Sequence, residues 1–169
     1  MWAKTALIWA FNNDFKNTEK AVEQATKRTK QVPLNPLLPY EESARAYLVQ
    51  KQYHRIPAVL EFSPDAKSIP RGMALLAIAY HKLGDADKSH HQLESLMERS
   101  TETAGGSPSF YTAMVYASRG ETEQAFQWLE KSIEDNEIEV YWLKVEPEFE
   151  SLYGDPRWQE MLDKVGFPE

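Results

Sequence analysis

The sequence predicts an all-α protein built from stacked antiparallel helix pairs. Three observations carry this reading. Apolar residues recur at i, i+3, i+4 and i+7 through nearly every long stretch, which is the spacing of one helical face. Prolines and glycines fall chiefly between those stretches, where they end helices. Two long segments also repeat each other at a fixed distance, the mark of a repeat architecture. No stretch alternates apolar and polar residues as a half-buried strand would.

Taken in order, the periodic segments place helices near 3–12, 16–31, 39–50, 54–63, 70–83, 86–100, 108–119 and 122–135. A short helix near 138–144, a turn of helix near 147–152 and a last helix at 156–165 follow. The first segment, "WAKTALIWAF", is apolar between Lys4 and Asp14. That run is far below the roughly 20 residues that span a bilayer. It lacks a small-residue cleavage site, which excludes a signal peptide, and it reads as a first helix that needs a neighbour. The second segment carries Lys16, Lys20, Lys27, Arg28 and Lys30. In the fourth, Pro57 removes an N–H and disfavours helix before it, so a longer turn and a start near Ile56 are expected. "TAGGSPS" (103–109) reads as a linker, with Ser107 or Pro108 opening the next helix. In the last, Asp155 caps the N-terminus and Pro156 takes the first helical position. Trp158, Met161, Leu162 and Val165 then form an apolar stripe, and Gly166 stops the helix.

Composition bounds the function. The chain has 169 residues, 42% hydrophobic and 27% charged, enough for one compact array with a sizeable core. It has no cysteine, which excludes disulfides, thiolate nucleophiles and cysteine metal sites and fits a reducing, cytoplasmic setting. A net charge of −7 disfavours general nucleic-acid binding. The charge is uneven: residues 121–169 hold 14 acids and 4 bases, net −10, so residues 1–120 are net +3. The uneven charge fits a solvated helix face, end-to-end self-association or an acidic partner.

The repeat is explicit between 74–97 and 110–133. Ala77 matches Ala113, Tyr80 matches Tyr116, Gly84 matches Gly120 and Leu93 matches Leu129, all at an offset of 36. A third copy at 41–63 aligns Ala44 and Tyr47 with Ala77 and Tyr80 at an offset of 33, with Lys51 in place of the turn Gly. The opening segment has the same two-helix outline, with Asn13 for Gly and an apparent insertion. A small residue lets helices approach closely, and a Tyr three residues on fills the space within the pair. Gly is cheap where φ is positive at the end of the first helix, and the acid after it favours the next helix's positive N-terminus.

This pattern resembles the tetratricopeptide repeat. The resemblance covers roughly residues 3–135 and implies a right-handed superhelix of stacked helix pairs. On that reading the repeats run about 3–36, 37–69, 70–105 and 106–137, with a C-terminal cap at 138–169. The tail, with Trp142, "EPEF" (146–149), "DPRWQEML" (155–162) and "GFP" (166–168), resembles the segment that closes such arrays in bacterial adenylate-cyclase-like proteins and winged-helix regulators. The resemblance implies a module of a bacterial signalling protein. The chain entering a helix at once favours a piece of a longer one.

Chemistry is sparse in the sequence. His81 with His90 and His91 do not have the spacing that converges on a metal. No nucleophile elbow, Walker loop or dinucleotide fingerprint occurs. No enzyme activity, cofactor or metal is expected. The resemblance implies that the first helices of the pairs line a concave face that binds peptides. That nominates Glu41, Arg45, Arg71, Ala74, Ile78, His81, Phe110, Met114 and Ala117 as a partner-binding groove. Family members that clamp a terminal carboxylate carry Lys and Asn at i and i+4. Here those pairs are Glu41/Arg45, Ala74/Ile78 and Phe110/Met114, so the clamp is missing and an apolar floor with basic edges remains. The expected partner is a protein or peptide, with no nucleic acid and no membrane insertion. Two alternatives stay open: the chain's own tail or first helix fills the groove, or the array self-associates as an oligomerisation or autoinhibitory element.

Overall fold

The computed structural model describes residues 2–29, 38–61, 63–100 and 106–167. The protein is all-helical, with no strand among the described residues. Ten α-helices are seen among the described residues: α1 (Trp2–Phe11), α2 (Phe15–Thr29), α3 (Leu38–Val49), α4 (Arg55–Leu60), α5 (Pro64–Ser68), α6 (Pro70–Lys82), α7 (Ala86–Arg99), α8 (Pro108–Arg119), α9 (Thr122–Glu134) and α10 (Pro156–Val165). Two 3₁₀-helices, Ile138–Trp142 and Pro147–Leu152, lie between α9 and α10. The expected end of the second helix at 30–31 and the linker at 103–105 fall outside the described residues.

Four helix pairs, α1/α2, α3/α4, α6/α7 and α8/α9, pack in succession, each first helix against the next. All four share one turn. A residue one or two positions past each first helix is left-handed: Asn13 (φ 55), Lys51 (φ 57), Gly84 (φ 81) and Gly120 (φ 78). The N–H one residue later donates to the carbonyl five residues back, in Asp14 to Trp9, Gln52 to Tyr47, Asp85 to Tyr80 and Glu121 to Tyr116. These bonds satisfy carbonyls that a helix C-terminus leaves open. The first pair is therefore in register, at an offset of 38, and its turn is as tight as the others. The extra residues lie between α2 and α3 and are not in the turn.

Packing follows the same register. Ala6, Ala44, Ala77 and Ala113 are all 0% exposed, so each first helix can approach its neighbour closely. Thr18, Ile56, Ser89 and Ala125 hold the matching position of the second helices and are buried too. Ser89 Oγ donates to the Ala77 carbonyl at 2.6 Å and receives a bond from Arg119 at 2.6 Å. Thr18 Oγ1 donates to the Asp14 carbonyl and accepts from Gln50 Nε2 at 3.0 Å. The polar atoms at these positions thus have partners, as burial requires.

The second pair departs from the others. Its second helix begins at Arg55, one residue before Ile56, and runs only six residues. Ser63 then caps the five-residue α5, with Pro64 at its first position. The periodicity does not predict α5. Gly72 sits where α6 crosses it: a Cβ there would stand 1.8 Å from the Ala66 carbonyl oxygen.

The last helix forms as its sequence dictates. Asp155 accepts from the Arg157 N–H at 3.0 Å, and Gly166 ends the helix with φ 76. Trp158, Met161 and Leu162 are buried, with Val165 packed beside them. Arg157 stays off that stripe, paired with Glu123 at 2.9 Å and lying over the Phe126 ring at 4.3 Å.

Candidate functional site

The nominated groove is built from the first helices α3, α6 and α8. Glu41, Ala74, Ile78, Phe110, Met114 and Ala117 are buried, Arg45 and Arg71 are half-buried, and His81 alone is exposed. Part of what covers them is the chain's own tail. After α9, Asn136 turns the chain with φ 54. The Glu137 carboxylate then accepts from the Ser109 N–H at 2.9 Å and the Phe110 N–H at 2.7 Å. This is a cap on the open N-terminus of α8 supplied from outside the helix, where a negative charge is favoured. Ser107 Oγ donates to Glu139 alongside it.

From that anchor the first 3₁₀-helix runs beside α9, and the second packs on α8 at the first-helix face. Val140, Leu143, Phe149 and Leu152 are buried. The Phe149 ring meets Phe110 edge-on at 5.4 Å and Trp158 at 6.2 Å. Ser151 Oγ donates to the Ala117 carbonyl at 3.2 Å. Phe110, Phe149 and Trp158 thus join α8, the tail and α10 in one core.

Beside this core lies a buried ionic cluster. Glu146 pairs with Arg45 at 2.9 Å, their side chains 8% and 15% exposed. Arg71 Nε donates to the Tyr111 hydroxyl at 2.7 Å, and its Nη1 stands 3.7 Å from Glu41 and 3.6 Å from Glu42. Burial pushes the Glu146 and Glu41 carboxyls up, and the arginines beside them oppose it. Burial, helped by the charge of Glu146, pushes Glu148 up to about 7. Burial likewise pushes Tyr111 up to about 12, against the pull of Arg71. Arg45, Arg71, Tyr111, Glu146 and Glu148 help line a cavity of about 10 Å³, room for about one water. A carboxyl near neutrality in a cleft is a candidate catalytic group, but this cavity has no space for a substrate. Arg71, Glu41, Tyr111 and Glu139, with Arg99, also line an open cleft of about 340 Å³.

Among the described residues no group of three or more His, Cys, Asp or Glu could hold a metal ion. His90 instead pairs with Glu94 at 3.1 Å. No helix among them is long and apolar enough to cross a membrane.

Sequence reasoning reaches Glu41, the arginines and the apolar floor of this face but not the tail acids that meet it. Glu137, Glu139 and Glu146 come from the tail. The only signal for them is the density of acids there and the Pro147 that shapes "EPEF". Compared with known proteins, the chain matches no family model, no curated protein and no solved structure.

Proposed function

We propose that the chain is a non-catalytic protein-interaction scaffold of tetratricopeptide type, whose first-helix face is occupied by its own tail. The observation that carries this is the docked segment 146–152: a short chain seated on the face by an aromatic anchor and a salt bridge. That is the kind of occupant an apolar face with basic edges takes. The fourfold turn and the fourfold buried Ala support the repeat assignment. The tail's likeness to the closing segments of bacterial signalling proteins supports a regulatory setting, in which a partner peptide competes with the tail.

The test is a peptide-library capture on the full chain and on Phe149→Ala, which removes the tail's anchor on Phe110 and leaves the floor's own side chains in place. The variant should bind peptides that the wild type does not, with helicity retained. Equal absence of binding in both would refute the reading. Substitutions in the floor itself are poor probes: Ile78 and Met114 are 1% and 3% exposed, so a Glu at either would bury an unpaired charge.

A further inference from the structure

The three inner pairs bury a position on the first helix that the first pair leaves open. Ala46, Ala79 and Val115 each stand five residues before their turn residue, and all are 0% exposed. Ile8 holds that position in α1 and is 61% exposed. One turn earlier, Glu42, Leu75 and Tyr111 are buried, whereas Lys4 is exposed. Phe11 and Phe15, 50% and 52% exposed, widen the surface. The three later pairs bury this face and α1 exposes it, so α1 presents an apolar end with no pair upon it among the described residues.

A second apolar surface lies at the other end of the chain. Ile138, Tyr141, Trp142 and Val145 are 70%, 64%, 52% and 55% exposed, while Val140 and Leu143 between them are buried. Ile138 and Tyr141, three apart, share one face of the 3₁₀-helix, and Trp142 and Val145 extend the surface beside it. The two ends differ in charge. Residues 1–36 carry 6 bases and 3 acids, net +3; residues 138–169 carry 3 bases and 8 acids, net −5. Two α1 ends brought together would repel, and so would two tails. An α1 end and a tail stripe attract.

We propose that the protein self-associates head to tail, the 138–145 stripe of one copy covering the α1 end of the next. Such a contact is heterologous, so it extends into chains unless a rotation closes them. It does not use the first-helix groove and goes beyond the scaffold reading above.

Sedimentation velocity on the full chain tests it. The wild type should sediment faster as concentration rises, and less so in high salt. Phe11→Asp and Trp142→Asp should each remain monomeric, with melting temperatures unchanged because both side chains are largely exposed. If either variant loses stability, Ile8→Asp and Tyr141→Asp replace the pair. Mixed in equal amounts, the head-blocked and tail-blocked variants should form a heterodimer and nothing larger, because each retains the face the other lacks. A wild type that stays monomeric overturns the proposal and leaves the groove reading intact, since peptide capture by Phe149→Ala reads that separately. Association of the wild type with no heterodimer in the mixture means a two-fold contact and also overturns it. So does association that neither substitution weakens.

Discussion

Lys51 should be the wrong residue in the right place. It holds the left-handed turn position that Gly84 and Gly120 hold in later pairs, with φ 57. A left-handed conformation costs an L-residue about 1–2 kcal/mol, while Gly gives back roughly 0.5–1 kcal/mol in chain entropy. Lys51→Gly should therefore stabilise the fold by about 0.5–1 kcal/mol. The Lys51 side chain is exposed and makes no hydrogen bond or ion pair among the described residues, so little else is lost. The reverse change has an equally clean reading. A Cβ added at Gly84 or Gly120 meets nothing within 4 Å, so Gly120→Ala costs only the backbone term, about 1 kcal/mol. For a chain of this size, each kcal/mol moves the melting temperature by about 2–4 °C. Thermal unfolding by circular dichroism should show Lys51→Gly up and Gly120→Ala down by about that much. A lower melting temperature for Lys51→Gly would refute the shared turn, and with it the equivalence of the pairs.

Other substitutions probe other joints. Gly72→Ala places a methyl against the Ala66 carbonyl and should destabilise by about 1–3 kcal/mol or more as α5 and α6 are forced apart, read by urea denaturation. Trp158→Ala removes a buried ring that packs on Phe149 and Tyr153 and should cost about 3–5 kcal/mol in the same assay. Arg45→Met leaves Glu146 buried without its partner and should cost about 3–5 kcal/mol, whereas Arg45→Met with Glu146→Leu should recover most of that loss. Glu148 is raised to about 7 in the folded state, so that state holds its proton while the unfolded chain has released it. Its contribution is full below the ordinary carboxyl range and is lost as pH rises through about 7. Melting temperature should therefore fall between mildly acidic and slightly alkaline pH, and Glu148→Gln should flatten that fall.

Much of this fold is legible in the sequence because repetition multiplies weak signals. Ala77 and Tyr80 alone mean little, but their recurrence as Ala113 and Tyr116 ahead of a second turn Gly fixes a register. The first pair is harder to see. Its markers are Ala6, Trp9 and Asn13: Trp for Tyr, and Asn for Gly because Asn also tolerates the left-handed region. The helix α5 escapes periodicity because five residues are too short to show any. The course of the tail is hidden for a different reason. Glu137 capping α8 and Glu146 meeting Arg45 join residues far apart in the chain. An acid in the sequence does not say which helix end or which arginine it will reach. The nominated floor is buried, and apolarity cannot distinguish a surface awaiting a peptide from one that packs its own chain.

Hydrogen exchange measured by mass spectrometry on the intact chain tests that distinction most directly. With the tail docked on the first-helix face, amides of 146–152 should be protected to a degree approaching α8, and Phe149→Ala should strip that protection while α6 and α8 keep theirs. Rapid exchange across 146–152 in the wild type, at the rate of an exposed loop, would contradict the account.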